Sequence, residues 1–282
     1  MKTITKAVIP IGGFGTRLLP ITKAIPKEML PIIDKPVIQY IIEELANSGI
    51  KEVYMIISRE KEAIVNYFSR NEKLEKRLIM NNKKVECQEI IDISSIMKVH
   101  FILEEEQQGS ASAIYLAKQY IKKDEPFVIV LGDDLIKNDE PAINQLINVY
   151  NKTGNNVIGV HEVEDNELNR YGIIKVKDKN QNTIDSIIEK PKIKDAPSNL
   201  AVLGRYLVTG DIFDYIKKTK KGIGNEYQLT DALKLMMENK EFNYKVINGN
   251  YYDIGSREGY INAMVDYAKE STKIDKNKLT SI

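Results

Sequence analysis

Residues 10–17, Pro-Ile-Gly-Gly-Phe-Gly-Thr-Arg, follow directly on the apolar run Ala7-Val8-Ile9. A short apolar run of this kind reads as a buried strand. The glycines after it make a turn where backbone N–H groups can approach a polyphosphate, because no Cβ holds the ligand off, and Arg17 then meets phosphate oxygens. It is not a Walker A loop, since Lys and Ser/Thr do not follow a second glycine at the required spacing. Nor is it a full dinucleotide fingerprint, since Leu18 stands where a third glycine belongs. A glycine turn alone can serve only to reverse the chain. The string Pro26-Lys27-Glu28-Met29-Leu30-Pro31 argues for more, because its prolines restrict the backbone on either side of Lys27, as suits a positioned cation.

Outward from this turn the chain alternates strand-like and helix-like segments. Apolar runs at 53–57, 99–103 and 127–131 suit central strands, and Val37, Ile38, Ile41, Ile42 and Leu45 share one helical face, with Pro36 before them and Gly49 after. This rhythm predicts an α/β fold with a mixed, mostly parallel sheet. Residues 60–96 read as a helical excursion. Further strands are expected near 157–160, 172–177, 183–188 and 201–209, and a helix over 256–269, with residues 271–282 as a polar tail. One domain over 1–270 is expected, with lobes of about 1–133 and 134–255.

Composition narrows the function. The 282 residues carry 41 basic and 40 acidic side chains, a net charge of +1, so no global field recommends nucleic acid or an anionic membrane. No apolar run approaches the length of a membrane span, and the first residues lack a secretory signal, which predicts a cytoplasmic protein. Cys87 is the single cysteine, and His100 and His161, both in strand-like contexts, are the only histidines. Chemistry built on histidine or a multi-cysteine metal site is poorly supplied.

The order of several further strings is more specific than any one of them. These are Leu131-Gly132-Asp133-Asp134, Tyr171-Gly172-Ile173-Ile174, Ile188-Glu189-Lys190-Pro191, Ala196-Pro197-Ser198-Asn199-Leu200-Ala201, Gly204-Arg205-Tyr206, Glu226-Tyr227-Gln228-Leu229-Thr230-Asp231 and Tyr252-Asp253-Ile254-Gly255. With the two N-terminal strings they resemble the sugar-nucleotide pyrophosphorylases, and within them the bacterial UTP:glucose-1-phosphate uridylyltransferases, over nearly the whole chain. The resemblance implies a Rossmann-like nucleotidyltransferase fold, UTP and glucose 1-phosphate as substrates, Mg²⁺ as cofactor, and a homo-oligomer, dimer or tetramer. A sister enzyme for another base or sugar, such as dTTP, and a catalytically weak regulatory paralogue are the alternatives.

By the same resemblance, Gly12, Gly13, Gly15 and Thr16 cradle the nucleotide, Arg17 and Lys27 hold the triphosphate, and Lys190 binds the sugar phosphate. Asp133, at the end of an apolar run where open α/β sheets bind ligands, and Asp253 match the metal carboxylates. Glu189 and Glu226 match carboxylates that read sugar hydroxyls, with Gly172 and Gly204 allowing close backbone approach. The residues alone also allow plainer roles: Asp133 as a turn residue, Glu189-Lys190 as an exposed pair, and Thr230 or Asp231 as a helix cap.

The pattern breaks at residues 104–113. In the family a glutamine and a backbone glycine contact uracil here; Glu104 stands at the glutamine, Gly109 matches the glycine, and Ala111 and Ser112 replace a further glycine and a histidine. Gly12 replaces a usual alanine, Phe14 a leucine, and Asn225 a glycine. Glu104 is expected at the base, unless it faces solvent with Glu105 and Glu106.

Overall fold

A computed structural model describes residues 3–275; the end of the expected polar tail lies outside them. The first half of the chain comprises β1 (Lys6–Ile11), a small hairpin of β2 (Pro31–Ile32) and β3 (Lys35–Pro36), α1 (Val37–Asn47), β4 (Glu52–Ile57), α2 (Glu62–Phe68), α3 (Glu72–Met80), α4 (Lys84–Ser95), β5 (Lys98–Leu103), α5 (Ser110–Tyr115) and β6 (Pro126–Val130). The second half adds β7 (Asp134–Lys137), α6 (Ala142–Thr153), β8 (Asn156–Glu162), β9 (Gly172–Asp178), β10 (Thr183–Glu189), β11 (Leu200–Thr209), α7 (Ile212–Ile216), α8 (Leu229–Met237), β12 (Phe242–Val246), β13 (Asn250–Asp253) and α9 (Arg257–Glu270).

Nine strands form one sheet in the order β5-β4-β1-β6-β11-β8-β12-β10-β9. Pairing is parallel from β5 to β6, as helical crossovers require, whereas β11 runs antiparallel to both β6 and β8, and β10 antiparallel to β12 and β9. The sheet is therefore mixed, with its parallel character concentrated in the first half; β12 beside β8 is the parallel pair beyond it. In the second half, connections such as that from β9 to β10 are too short to carry a crossover, so those strands turn back on themselves.

Alternate residues of the central strands are buried on opposite faces, which is why these runs are continuously apolar. Ala7, Ile9 and Val128 face a core closed by α1, α2, α6 and α9. Val8, Phe127 and Ile129 face one closed by α5, α7 and α8. After β1 the chain moves to β4 and β5 on one side, then returns to place β6 on the other, so the carboxyl ends of β1 and β6 flank a topological switch point, where ligands bind in such sheets. The glycine turn follows β1 and Asp133 follows β6.

Candidate active site

A second, two-stranded ribbon carries the other acidic residue to this crevice. Strand β13 pairs with β7 in the register Asp253↔Asp134, and the Ile254 N–H donates to the Asp133 carbonyl at 2.9 Å. Gly255 follows, and a Cβ there would stand 2.8 Å from Asp133 Oδ2, 2.9 Å from Asp253 Oδ1 and 2.4 Å from Arg17 Nη2. The three groups thus converge on a point that any side chain would occupy.

Each of these carboxylates has a cation. Lys27 donates to Asp133 Oδ2 at 2.6 Å, with both side chains largely shielded from solvent. Burial alone would lower the Lys27 ammonium's pKa, but the attraction of Asp133 and Glu28 holds it above its ordinary value. Burial would likewise raise Asp133, yet Lys27 and Arg17 keep it below the usual carboxylate range. Arg17 grips Asp253 with both ends of its fork, at 2.8 and 3.3 Å, and Arg170 adds a third donor at 3.1 Å. Two oxygen donors converging with room between them suit a hard cation such as Mg²⁺, which takes one or two carboxylates and completes its shell with phosphate and water. Among the described residues no group of three or more His, Cys, Asp or Glu is placed to hold a metal.

Asp134, beside Asp133, has its oxygens committed elsewhere. Oδ2 accepts from the Gly204 N–H and Oδ1 from the Tyr251 hydroxyl, both at 2.8 Å, while burial and the neighbouring Asp133 charge push its carboxyl up to about 7. It fastens β7 to β11 and β13. Beneath Lys27 lies a second buried pair, Lys61 Nζ on Glu28 Oε2 at 2.7 Å, which ties the start of α2 to the Pro26-to-Pro31 string.

On the far side of Asp133 opens a cavity of about 260 Å³, lined among others by Arg17, Arg170, Glu189, Lys190 and Thr230. Glu189 ends β10 opposite Gly172 of β9, and the missing side chain at Gly172 leaves room beside Glu189 Oε2 and Thr230. Thr230 donates to Glu189 Oε2 at 2.9 Å. It lies within α8, whose N-cap is Gln228, so neither Thr230 nor Asp231 is the cap the sequence suggested. Lys190 takes a left-handed backbone (φ 43°) while its N–H donates to the Tyr171 carbonyl, a turn that sets its ammonium at the cavity wall.

The nucleotide side is less closed. Nothing approaches a Cβ position at Gly13, so that stretch of turn is open, whereas Gly15 (φ 64°) folds onto Thr22, whose hydroxyl donates to its carbonyl. Thr16 opens a single 3₁₀ turn with Arg17. Glu104 does not face solvent with Glu105 and Glu106. It is only 5 % exposed, and its Oε2 lies 2.1 Å from where a Cβ of Gly12 would be.

Three of the expected site residues, Gly204, Gly109 and Glu226, do not line the cavity beside Asp133. Gly204 is close to protein, not to the cavity: a Cβ there would strike Asp134 and Leu131. Gly109 is required by the chain itself, since its φ of 113° and its contact with the Tyr227 backbone leave no room for a side chain. Glu226 is exposed, accepts from Gln228, and does not line the cavity beside Asp133. Conversely, the sequence does not point to Arg170, Gly255 or the Lys61–Glu28 pair, and it offers Thr230 only as a helix cap. Gly255 lay inside a quoted string, and Arg170 immediately before one.

A family model described as nucleotidyl transferase matches residues 6–270. A UTP–glucose-1-phosphate uridylyltransferase of Staphylococcus epidermidis is 42% identical over 281 residues, covering 98% of this chain and 96% of that protein. Among solved structures, a UDP-glucose pyrophosphorylase complexed with UDP-glucose superposes with a TM-score of 0.85 at 37% identity, covering 95% of this chain and 100% of the other. A UTP-bound UGPase from Acinetobacter baumannii gives 0.88 at 32% identity, covering 96% and 95%.

Proposed function

The chain belongs to the nucleotidyl transferase family, and from that premise we propose that it joins UTP and glucose 1-phosphate into UDP-glucose with release of pyrophosphate. The observation that carries this reading is the convergence of Lys27–Asp133 and Arg17–Asp253 on Gly255, between an open glycine turn and a cavity walled by Glu189 and Lys190. The reactants are both anions. Their repulsion, on the order of 4 kcal/mol per unit-charge pair at 4 Å and an effective dielectric near 20, must be offset by fixed cations. Arg17 and Lys27 turn from their carboxylates to the triphosphate, and Lys190, with Arg170 beside it, holds the sugar phosphate in line with the α-phosphorus. The phosphate is already a nucleophile, so positioning and charge neutralisation suffice and no protein base is needed. Asp133 and Asp253 would hold Mg²⁺, which supplies further neutralisation when bound.

Nucleotide is assigned to the lobe of about 1–133, and sugar phosphate to that of about 134–255. Glu189, braced by Thr230, accepts from sugar hydroxyls. No helix among the described residues is long and apolar enough to cross a membrane, and the charged, membrane-impermeant substrates support a cytoplasmic site of action. A homo-oligomer, dimer or tetramer, is proposed from family membership alone. The test is a matrix of nucleoside triphosphates against sugar 1-phosphates with Mg²⁺. UTP with glucose 1-phosphate is expected to give UDP-glucose and pyrophosphate in equal amounts and faster than any other pair; a faster reaction with dTTP or another sugar would reassign the substrate.

A further inference from the structure

Five acidic residues of the described chain are buried, and four of them have partners: Glu28 with Lys61, Glu75 with Arg70, Asp134 with Tyr251 and the Gly204 N–H, and Asp211 with Thr209 and Lys240. The fifth, Glu104, has no side-chain hydrogen bond or ion pair with any described residue. The side chain is buried but its oxygens are not sealed off, since they are not among the fully enclosed unpartnered atoms of the described residues, so the carboxyl opens outward with no protein group to match it, and burial of the rest of the side chain favours its uncharged form. Its position is set by the fold. It follows β5, its N–H donates to the Ile57 carbonyl at the end of β4 at 2.8 Å, and its carboxyl enters the space left by the missing side chain of Gly12, in the turn after β1. These are the carboxyl ends of parallel strands on the nucleotide side of the crevice, and two departures from the family pattern, Gly12 and Glu104, meet there.

We propose that Glu104 reads the pyrimidine as a neutral carboxylic acid, so that binding of UTP carries a proton into the site. The inference rests on the reading of this protein as a UTP enzyme. The uracil edge presents the N3–H donor between two carbonyl acceptors. A neutral carboxyl offers one O–H donor and one carbonyl acceptor side by side, and so makes two bonds to that edge. A carboxylate can only accept; it matches N3–H and repels the adjacent oxygen. The surroundings favour the neutral form. The glycine turn contributes Gly12, the Ile57 carbonyl of β4 is taken by Glu104's own N–H, and the loop after Glu104 brings the uncharged Gln107 near. Glu105 and Glu106, next in the chain, and Arg59 and Glu60, beyond β4, are exposed. Burial alone pushes the Glu104 carboxyl up to about 7.

The sign of the linkage follows. Below pH 7 the free site is already protonated and UTP binds without proton exchange; above it, each UTP must bring a proton, and affinity falls as pH rises. Titration of UTP with Mg²⁺, without sugar phosphate, into wild type and Glu104→Gln at pH 8, in two buffers of different ionisation heat, measures proton uptake directly. The phosphate groups of the nucleotide titrate equally in both and cancel. Wild type is expected to take up close to one proton more than Glu104→Gln, and its KM for UTP to rise roughly tenfold between pH 7 and 8.5 relative to the variant. Gly12→Ala, which displaces the carboxyl, should lose the same proton. Equal uptake and parallel KM profiles, with UTP still bound, would overturn the proposal while leaving the UTP reading intact. Failure of both proteins to bind UTP at any pH would overturn the UTP reading, and the proposal with it.

Discussion

The two corners of the crevice treat charge in opposite ways. At the phosphate corner the two converging carboxylates each have a cation: Asp133 has Lys27, and Asp253 has Arg17 and Arg170. At the base corner Glu104 stands buried and unmatched. Lys27 and Asp133 each hold the other charged against burial, and in the proposed reaction the cations exchange these carboxylates for the arriving anions. The base corner changes its own charge instead. Matched groups carry rate, and unmatched groups carry pH dependence.

Removing charge from the matched corner is expected to have the largest effect. Asp133→Asn and Asp253→Asn are each expected to lower kcat by about 10²- to 10³-fold, the usual loss when preorganised charge stabilisation is removed. Steady-state kinetics with saturating UTP and glucose 1-phosphate check this, and a near-normal rate in either variant takes that residue out of the reacting centre.

An unmatched group elsewhere should behave as Glu104 does. His161, whose Nε2 is buried without a partner, packs edge-on to Tyr171 and Tyr251, and burial lowers its pKa to about 4. The unfolded chain takes up this proton first, so the stability conferred by a neutral His161 is complete above pH 6.5 and is lost as pH falls toward 4. The contribution is about 2 kcal/mol between pH 7 and 4.5. Urea unfolding at those two pH values should show His161→Phe losing less stability on acidification than wild type; equal losses would mean that His161 is solvated.

Gly255 sharpens the account of the matched corner. Alanine there would press on Arg17 and both carboxylates, and a displacement of a fraction of an ångström at the reacting groups is expected to cost about tenfold in kcat with KM little changed. Unaltered kcat in Gly255→Ala would show that the convergence has slack. The smallest effect is assigned to Thr230→Val, which deletes one hydrogen bond to Glu189. It should raise KM for glucose 1-phosphate about fivefold, the equivalent of roughly 1 kcal/mol, and leave KM for UTP unchanged. A rise in KM for UTP instead would move Glu189 away from the sugar.

Much of this was legible because it is local. The strand before the glycine turn, the helix after Pro36 and the placement of Asp133 beyond an apolar run follow from periodicity and from residues adjacent in the chain. What was not legible depends on contacts between distant segments. Nothing near Lys61 announces that it meets Glu28, and Arg170 reaches Asp253 across 83 residues. Thr230 looks like a cap because hydroxyls favour helix starts, but the N-cap is Gln228, two residues earlier, and Thr230, already inside α8, donates to Glu189 instead. Gly204 makes room for Asp134 and Leu131, and the lack of a side chain at Gly109 makes room for the Tyr227 backbone. A glycine in a sequence shows that something comes close, not what.

In the proposed reaction two anions meet between fixed cations, so neither substrate reacts alone. Purified protein incubated with Mg²⁺ and UTP, with and without glucose 1-phosphate, tests it by the pyrophosphate released. Release is expected only when the sugar phosphate is present, one pyrophosphate for each UDP-glucose formed. Pyrophosphate appearing from UTP alone at a comparable rate would contradict the account, since water or a protein group would then be the nucleophile.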